Sequence, residues 1–145
     1  MDKTRPGVSP DQTPALVLAY IGDAVYEIFV RQHLMESGIT KVKELHREAV
    51  KFVNAGTQAR VIHALDNQLT EAERTVVRRG RNAKSGSPPK NTPVIVYRYG
   101  TALEALFGYL YLKGEEKRLA EIFGLVKSIV KETGEGNNSN EGKTD

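Results

Sequence analysis

The chain has 145 residues, with 21 Lys+Arg against 18 Asp+Glu for a net charge of +3, and 39% of it is hydrophobic, enough for one domain with a buried core. Cysteine is absent, which excludes a disulfide framework, a thiolate metal site and a cysteine nucleophile, and fits a reducing cytosol. No apolar leader follows a basic stretch, and no uncharged apolar run approaches the ~20 residues that span a bilayer. A soluble, cytoplasmic protein without membrane contact is expected.

Residues 1–12 are polar and Pro-bearing, and are expected to be flexible. Thr13 followed by Pro14 reads as an N-cap and a proline at the first helical position, opening a helix that runs to about Ser37, where Gly38 stops it. Thr40 is a candidate cap for a second helix through Val53, with Val42, Leu45, Ala49, Val50 and Val53 at helical spacing. A third helix is predicted from Thr57 to Asn67. Thr70-Glu71-Ala72-Glu73 is a capping box that opens a fourth. The run from Gly80 to Pro93 carries Pro88, Pro89 and Pro93 and predicts a loop of a dozen or so residues, long enough to suggest function. A fifth helix is predicted from Val94 to Leu112 and an amphipathic sixth from Glu115 to Lys131; the Gly/Asn/Glu/Ser-rich residues 133–145 read as a disordered tail. No stretch alternates with the period of a strand, so the fold class is all-α.

The charge is unevenly distributed. Arg74, Arg78, Arg79, Arg81, Lys84, Lys90 and Arg98 fall in one segment free of Asp and Glu, leaving −4 for the rest of the chain. A local basic segment is how a footprint for a polyanion reads, with a solubilising face as the plainer alternative.

The first and fifth helices are apolar around most of their circumference, yet they contain acids. Asp23 and Glu27 are the only charges between Pro14 and Val30, and Glu104 is the only one between Tyr99 and Leu112. A carboxylate stranded among apolar side chains is costly unless something answers it. Three arrangements do so: a solvated helix edge, an ion pair with a distant Arg, or a metal ion shared between the acids. For a metal, oxygen ligands without Cys or clustered His favour Mg²⁺ or Mn²⁺ over zinc. Gly22 and Gly108 sit mid-helix beside these acids at a cost of about 1 kcal/mol each relative to Ala, which points to a close approach, of another helix or of a phosphate backbone. His33, His46 and His63 are isolated and read as structural or surface residues. Tyr97, Tyr99, Tyr109 and Tyr111 read as core or dimer contacts.

Leu18-Ala19-Tyr20-Ile21-Gly22-Asp23-Ala24-Val25 resembles the signature helix of the ribonuclease III catalytic domain, and Glu104-Ala105-Leu106-Phe107-Gly108 resembles the second half of that family's site. Val77-Arg78-Arg79-Gly80-Arg81-Asn82-Ala83-Lys84 and Pro89-Lys90-Asn91-Thr92 are similar to the Mini-III branch, a catalytic domain standing without a double-stranded-RNA-binding domain. The similarity spans about Pro14 to Lys131, so residues 13–132 are expected to form the catalytic domain, with no room for a second.

The resemblance implies a homodimeric helical endonuclease domain that hydrolyses double-stranded RNA with Mg²⁺, Mn²⁺ being a substitute. It implies maturation of the 23S ribosomal RNA precursor at its 5′ and 3′ ends in bacteria, with a ribosomal protein as an assisting partner. Asp23 and Glu104 match the catalytic, metal-binding acids. Glu27 and Tyr20 are outer-shell candidates, and Arg78, Arg79, Arg81, Lys84 and Lys90 are candidates for RNA contact. Two further acids of the fuller family site are replaced by Ala19 and Thr101, as in the Mini-III pattern. The competing reading is a non-catalytic helical RNA-binding module associated with the ribosome.

Overall fold

The computed structural model describes residues 9–84 and 88–142, with side chains through Glu132. Among these residues the regular structure is entirely helical: α1 (Ala15–Glu36), α2 (Val42–Val53), α3 (Ala55–Leu65), α4 (Glu71–Asn82), α5 (Val94–Leu112) and α6 (Glu116–Gly142), with short 3₁₀ turns at Pro10–Gln12 and Asp66–Gln68.

α5 is the central element. It crosses α1 over the longest contact and packs α4 and α3 on its other sides, while α6 closes the end of the bundle against α3 and α5. Burial runs unbroken from Gly100 to Leu103 and from Ala105 to Leu110, which is why its sequence is apolar all round. The aromatic core joins α1, α2, α5 and α6: Tyr26 meets Phe107 edge-on at 5.1 Å, Phe29 lies 5.3 Å from Phe123, and the Tyr26 hydroxyl donates to the Phe52 carbonyl at 2.7 Å.

Several predicted boundaries shift for local reasons. Pro14, not Thr13, is the N-cap of α1, and the Thr13 hydroxyl instead donates to the Ser9 carbonyl at 2.6 Å. Lys41 rather than Thr40 caps α2, with no side-chain bond, and Glu44 supplies the negative charge that the first turn favours. α3 starts two residues early because Asn54 accepts from the Thr57 amide at 2.9 Å, a cap as good as any threonine.

The capping box at α4 forms as predicted: Glu73 N–H donates to Thr70 Oγ1, and Glu73 Oε1 accepts from Thr70 N–H. α4 then continues through Gly80, where the loop was expected to begin. A Cβ at Gly80 would lie 2.9 Å from the Ala102 Cα, so this glycine brings α4 onto α5 rather than stopping it. Gly38, with φ of +92°, does end α1 as read from the sequence.

The end of the N-terminal segment is tied down, since Asp11 accepts from the Tyr109 hydroxyl at 2.9 Å. α6 carries the backbone beyond Lys131 to Gly142; residues 1–8, 85–87 and 143–145 lie outside the described residues.

Candidate active site

The site is made by the crossing of α1 and α5. A Cβ on Gly22 would collide with the Glu104 carbonyl, and one on Gly108 would collide with the carbonyl of Leu18. Two hydrogen side chains therefore let the backbones touch, and the crossing sets Asp23 of α1 beside Glu104 of α5. This is the close approach that the two glycines predict.

Around the acids lies an open cleft of about 620 Å³. Leu16, Ala19, Tyr20, Asp23 and Glu27 reach it from α1, and Tyr97, Thr101 and Glu104 from α5, each set following the i, i+3/i+4 spacing of one helical face. Asp23 is exposed and Glu104 half-buried. Burial pushes the Glu104 carboxyl up to about 8, helped by a hydrogen bond to Asp23 and by the charge of Asp23. Glu104 therefore holds its proton more tightly than a solvated glutamate does.

Among the described residues no Lys or Arg forms an ion pair with Asp23 or Glu104. Of the three explanations for stranded acids, the distant arginine is therefore not the one adopted. Once ionised, Glu104 also acts on the core, where burial first and the Glu104 charge second raise the Tyr26 phenol above its ordinary range.

No group of three or more His, Asp or Glu side chains comes together among the described residues. The two positions at which the fuller family pattern has acids are closed floor: Ala19 and Thr101 are both buried, and the Thr101 hydroxyl donates to the Tyr97 carbonyl at 3.2 Å. Glu27 lines the cleft but pairs with Arg31 at 3.5 Å. Tyr20 borders the cleft with 82% of its surface exposed.

Tyr97, read from the sequence as a core or dimer residue, lies on the cleft wall. Its spacing from Thr101 and Glu104 (97, 101, 104) was the available signal. Arg31 stands four residues after Glu27 on α1, and that i,i+4 spacing was the available signal for their pair.

The basic candidates stand apart from this cleft. Arg78, Lys84 and Lys90 are exposed, and Arg81 is half-buried with its Nε donating to Asn82 Oδ1 at 3.4 Å. Arg79 has a structural bond, its Nη2 donating to the Thr13 carbonyl at 2.8 Å and so fastening the start of α1 to α4. Arg74 likewise gives two donors to the Asp66 carbonyl. The histidines lie elsewhere: His33 faces the Phe52 and Phe123 rings, His46 borders a hollow between α1 and α2, and the His63 ring lies tilted against Tyr99 at 4.3 Å.

Residues 16–115 match the Ribonuclease III domain, a span that contains both acids and the crossing that joins them. The chain is 50% identical over 127 residues to a Mini-ribonuclease 3 of Desulfitobacterium hafniense, covering 88% of this chain and 80% of the relative. It is 49% identical over 130 residues to the Mini-ribonuclease 3 of Brevibacillus brevis, covering 90% and 97% respectively. A crystal structure of a Fusobacterium nucleatum protein superposes with a TM-score of 0.75 at 28% identity, covering 82% of this chain and 98% of that one. An all-helical bundle whose central crossing pairs two uncompensated carboxyls, inside a matched domain and among relatives of nearly the same extent, places the chain in the ribonuclease III family, in its Mini-ribonuclease 3 branch.

Proposed function

We propose that this ribonuclease is a divalent-metal-dependent endonuclease for double-stranded RNA, that it acts as a homodimer in the cytoplasm, and that it trims the 5′ and 3′ ends of the 23S ribosomal RNA precursor with a ribosomal protein assisting. The observation that carries the metal reading is the Asp23–Glu104 pair: two carboxyls from different helices, in hydrogen-bond contact, with no cation answering them among the described residues. Burial first, and the neighbouring acid second, make Glu104 hold its proton, and a divalent cation bound between the two carboxyls would favour its release. The pair's hard oxygen donors fit Mg²⁺ or Mn²⁺, and the open cleft leaves room for the waters that Mg²⁺ keeps.

A divalent ion held by these carboxylates supplies positive charge at the scissile phosphate and a water acidic enough to yield hydroxide near neutral pH. The chain's own part is geometric and electrostatic. Gly22 and Gly108 set the helix separation, Asp23 and Glu104 present their oxygens to the ion once Glu104 has lost its proton, and buried Ala19 and Thr101 keep the remaining floor uncharged. In the net reaction a water oxygen bonds to phosphorus, the bond from phosphorus to the 3′ oxygen breaks, and that oxygen takes up a proton.

Duplex recognition falls to backbone contacts, because A-form RNA hides its base edges in a narrow, deep major groove. Arg78, Lys84 and Lys90 are exposed for this work and Arg81 partly so; Arg79 contributes mainly by anchoring α1. The homodimer reading rests on the outer face of α1, where Val17 is 51%, Tyr20 82% and Ile28 63% exposed, with Val94 and Ile95 of α5 also uncovered. A face this apolar is suited to a self-complementary two-fold contact.

The test is incubation with a structured 23S precursor and with a plain RNA duplex, with and without Mg²⁺, mapping the ends produced. Cleavage of duplex only with Mg²⁺, lost in Asp23→Asn while duplex binding persists, is expected. Metal-independent cleavage, or an unaffected Asp23→Asn variant, would overturn the site assignment. Sedimentation at micromolar concentration should give twice the chain mass of 16.0 kDa.

A further inference from the structure

We propose that Arg31 is a substrate-phosphate ligand that Glu27 holds in the absence of RNA, so that RNA binding frees Glu27 to act on the water shell of the metal. The inference rests on the metal-dependent reading above and extends it to two residues outside the carboxylate pair.

Glu27 is one helical turn beyond Asp23, about 6 Å along the axis of α1, and it lines the same cleft. It is the only other carboxylate on the cleft wall among the described residues, yet its partner is Arg31, one turn further on, at 3.5 Å. The two side chains are 41% and 61% exposed, so water competes for both and the pair is weak and readily exchanged. Glu27 meets the guanidinium through Nη2 at 3.5 Å, whereas an RNA phosphate that is free to move can take two parallel N–H bonds from the planar fork.

No Lys or Arg lines the cleft itself among the described residues. Arg31 is the cation that Glu27 holds one helical turn beyond the cleft wall, where it also borders the hollow between α1 and α2. A glutamate released at that point can accept hydrogen bonds from metal-bound water, the part an outer-shell carboxylate plays at such centres. Metal and RNA would then each favour binding of the other, since both draw the Glu27–Arg31 pair apart.

The experiment uses the full chain and two readouts independent of cleavage. Mn²⁺ binding is measured by calorimetry without RNA, and binding of a plain RNA duplex is measured in EDTA at rising salt. Arg31→Met should tighten Mn²⁺ by about two- to fivefold, the range for loss of an exposed ion-pair competitor. Adding Glu27→Gln to that variant should return the affinity to the wild-type value. In the RNA titration, Arg31→Met should lower the salt slope by about one phosphate contact, whereas Glu27→Gln should leave the slope unchanged.

An unchanged Mn²⁺ affinity in Arg31→Met, or an unchanged salt slope, overturns the exchange. If wild-type protein binds no Mn²⁺ that Glu104→Gln removes, the metal reading itself fails and the exchange fails with it, so the two failures are told apart by the wild-type titration. Neither side chain is buried, and matching circular dichroism spectra would show that the variants keep the fold.

Discussion

Glu73 and Glu104 are carboxyl groups withdrawn from water in one small bundle, and their surroundings drive them in opposite directions. At Glu73 burial alone would raise the pKa. Arg118 answers it with Nε and Nη2, each at 2.8 Å from one carboxylate oxygen, the Thr70 amide adds a third bond, and the net result lies below the usual carboxylate value. At Glu104 burial again acts first, but the neighbour is another acid, and the carboxyl is pushed up to about 8. The fold meets every hydrogen-bonding demand of Glu73 and leaves Glu104 unanswered. Glu73 arrives with its cation; Glu104, on the proposed metal reading, is left to find one.

The largest test of that contrast is kinetic. Glu104→Gln should lower duplex-RNA cleavage by ~10³-fold or more, the scale of losing a principal electrostatic group in an active site, while the melting temperature holds or rises. Arg118→Ala should do the reverse, leaving the cleavage rate at low temperature near wild type but unfolding the protein more easily. It strands Glu73, whose side chain is 5% exposed, and breaking a buried pair in this way costs about 3–5 kcal/mol. It also removes the bond from Arg118 to the Gln68 carbonyl. Glu73→Gln should cost less, because glutamine still closes the capping box and Arg118 retains Glu121 at 3.2 Å. Thermal melts beside initial cleavage rates decide both; a cleavage loss in Arg118→Ala at full folding would dissolve the distinction.

The contrast also marks what can be read from a sequence. Capping box, helix period, the stop at Gly38 and the two mid-helix glycines are local signals, fixed by residues three or four apart, and they led to the right elements and to the acids at their crossing. What stayed hidden depends on partners far along the chain. Glu73 looks like a capping residue and nothing more until Arg118, 45 residues away, folds against it. Arg79 reads as an RNA contact until its bond to the Thr13 carbonyl, 66 residues distant, shows its structural part. Gly80 has the same composition signal whether it ends a helix or lets one pack closely, and only the position of Ala102 decides. Exposure is hidden in the same way: the apolar residues of α1 look like core from every side, although Leu16, Val17, Tyr20, Ile28 and Met35 face outward.

The smallest effect concerns pH, and the two carboxyls should give opposite signs. Glu104 in the folded protein keeps its proton up to about 8, whereas an unfolded glutamate loses it near 4.5. Between those values the folded state binds the extra proton, so this group's stabilising contribution is full below about 4.5 and is lost as pH rises toward 8. Glu73, held below 4.5, contributes stability above that value and loses it as pH falls further. Glu104→Gln should therefore match wild type near pH 4.5 and exceed it progressively up to pH 8, by on the order of 2 kcal/mol, the open cleft letting water share the charge. Denaturant melts of both proteins at a series of pH values, without divalent metal, measure this directly. Saturating Mn²⁺ should then raise the wild-type melt at pH 8 and leave Glu104→Gln where it was, because only the ionised pair offers the ion its two carboxylates. A gap between the two proteins that stays constant across this range would mean that Glu104 binds no more protons folded than unfolded, so that burial does not push its carboxyl up.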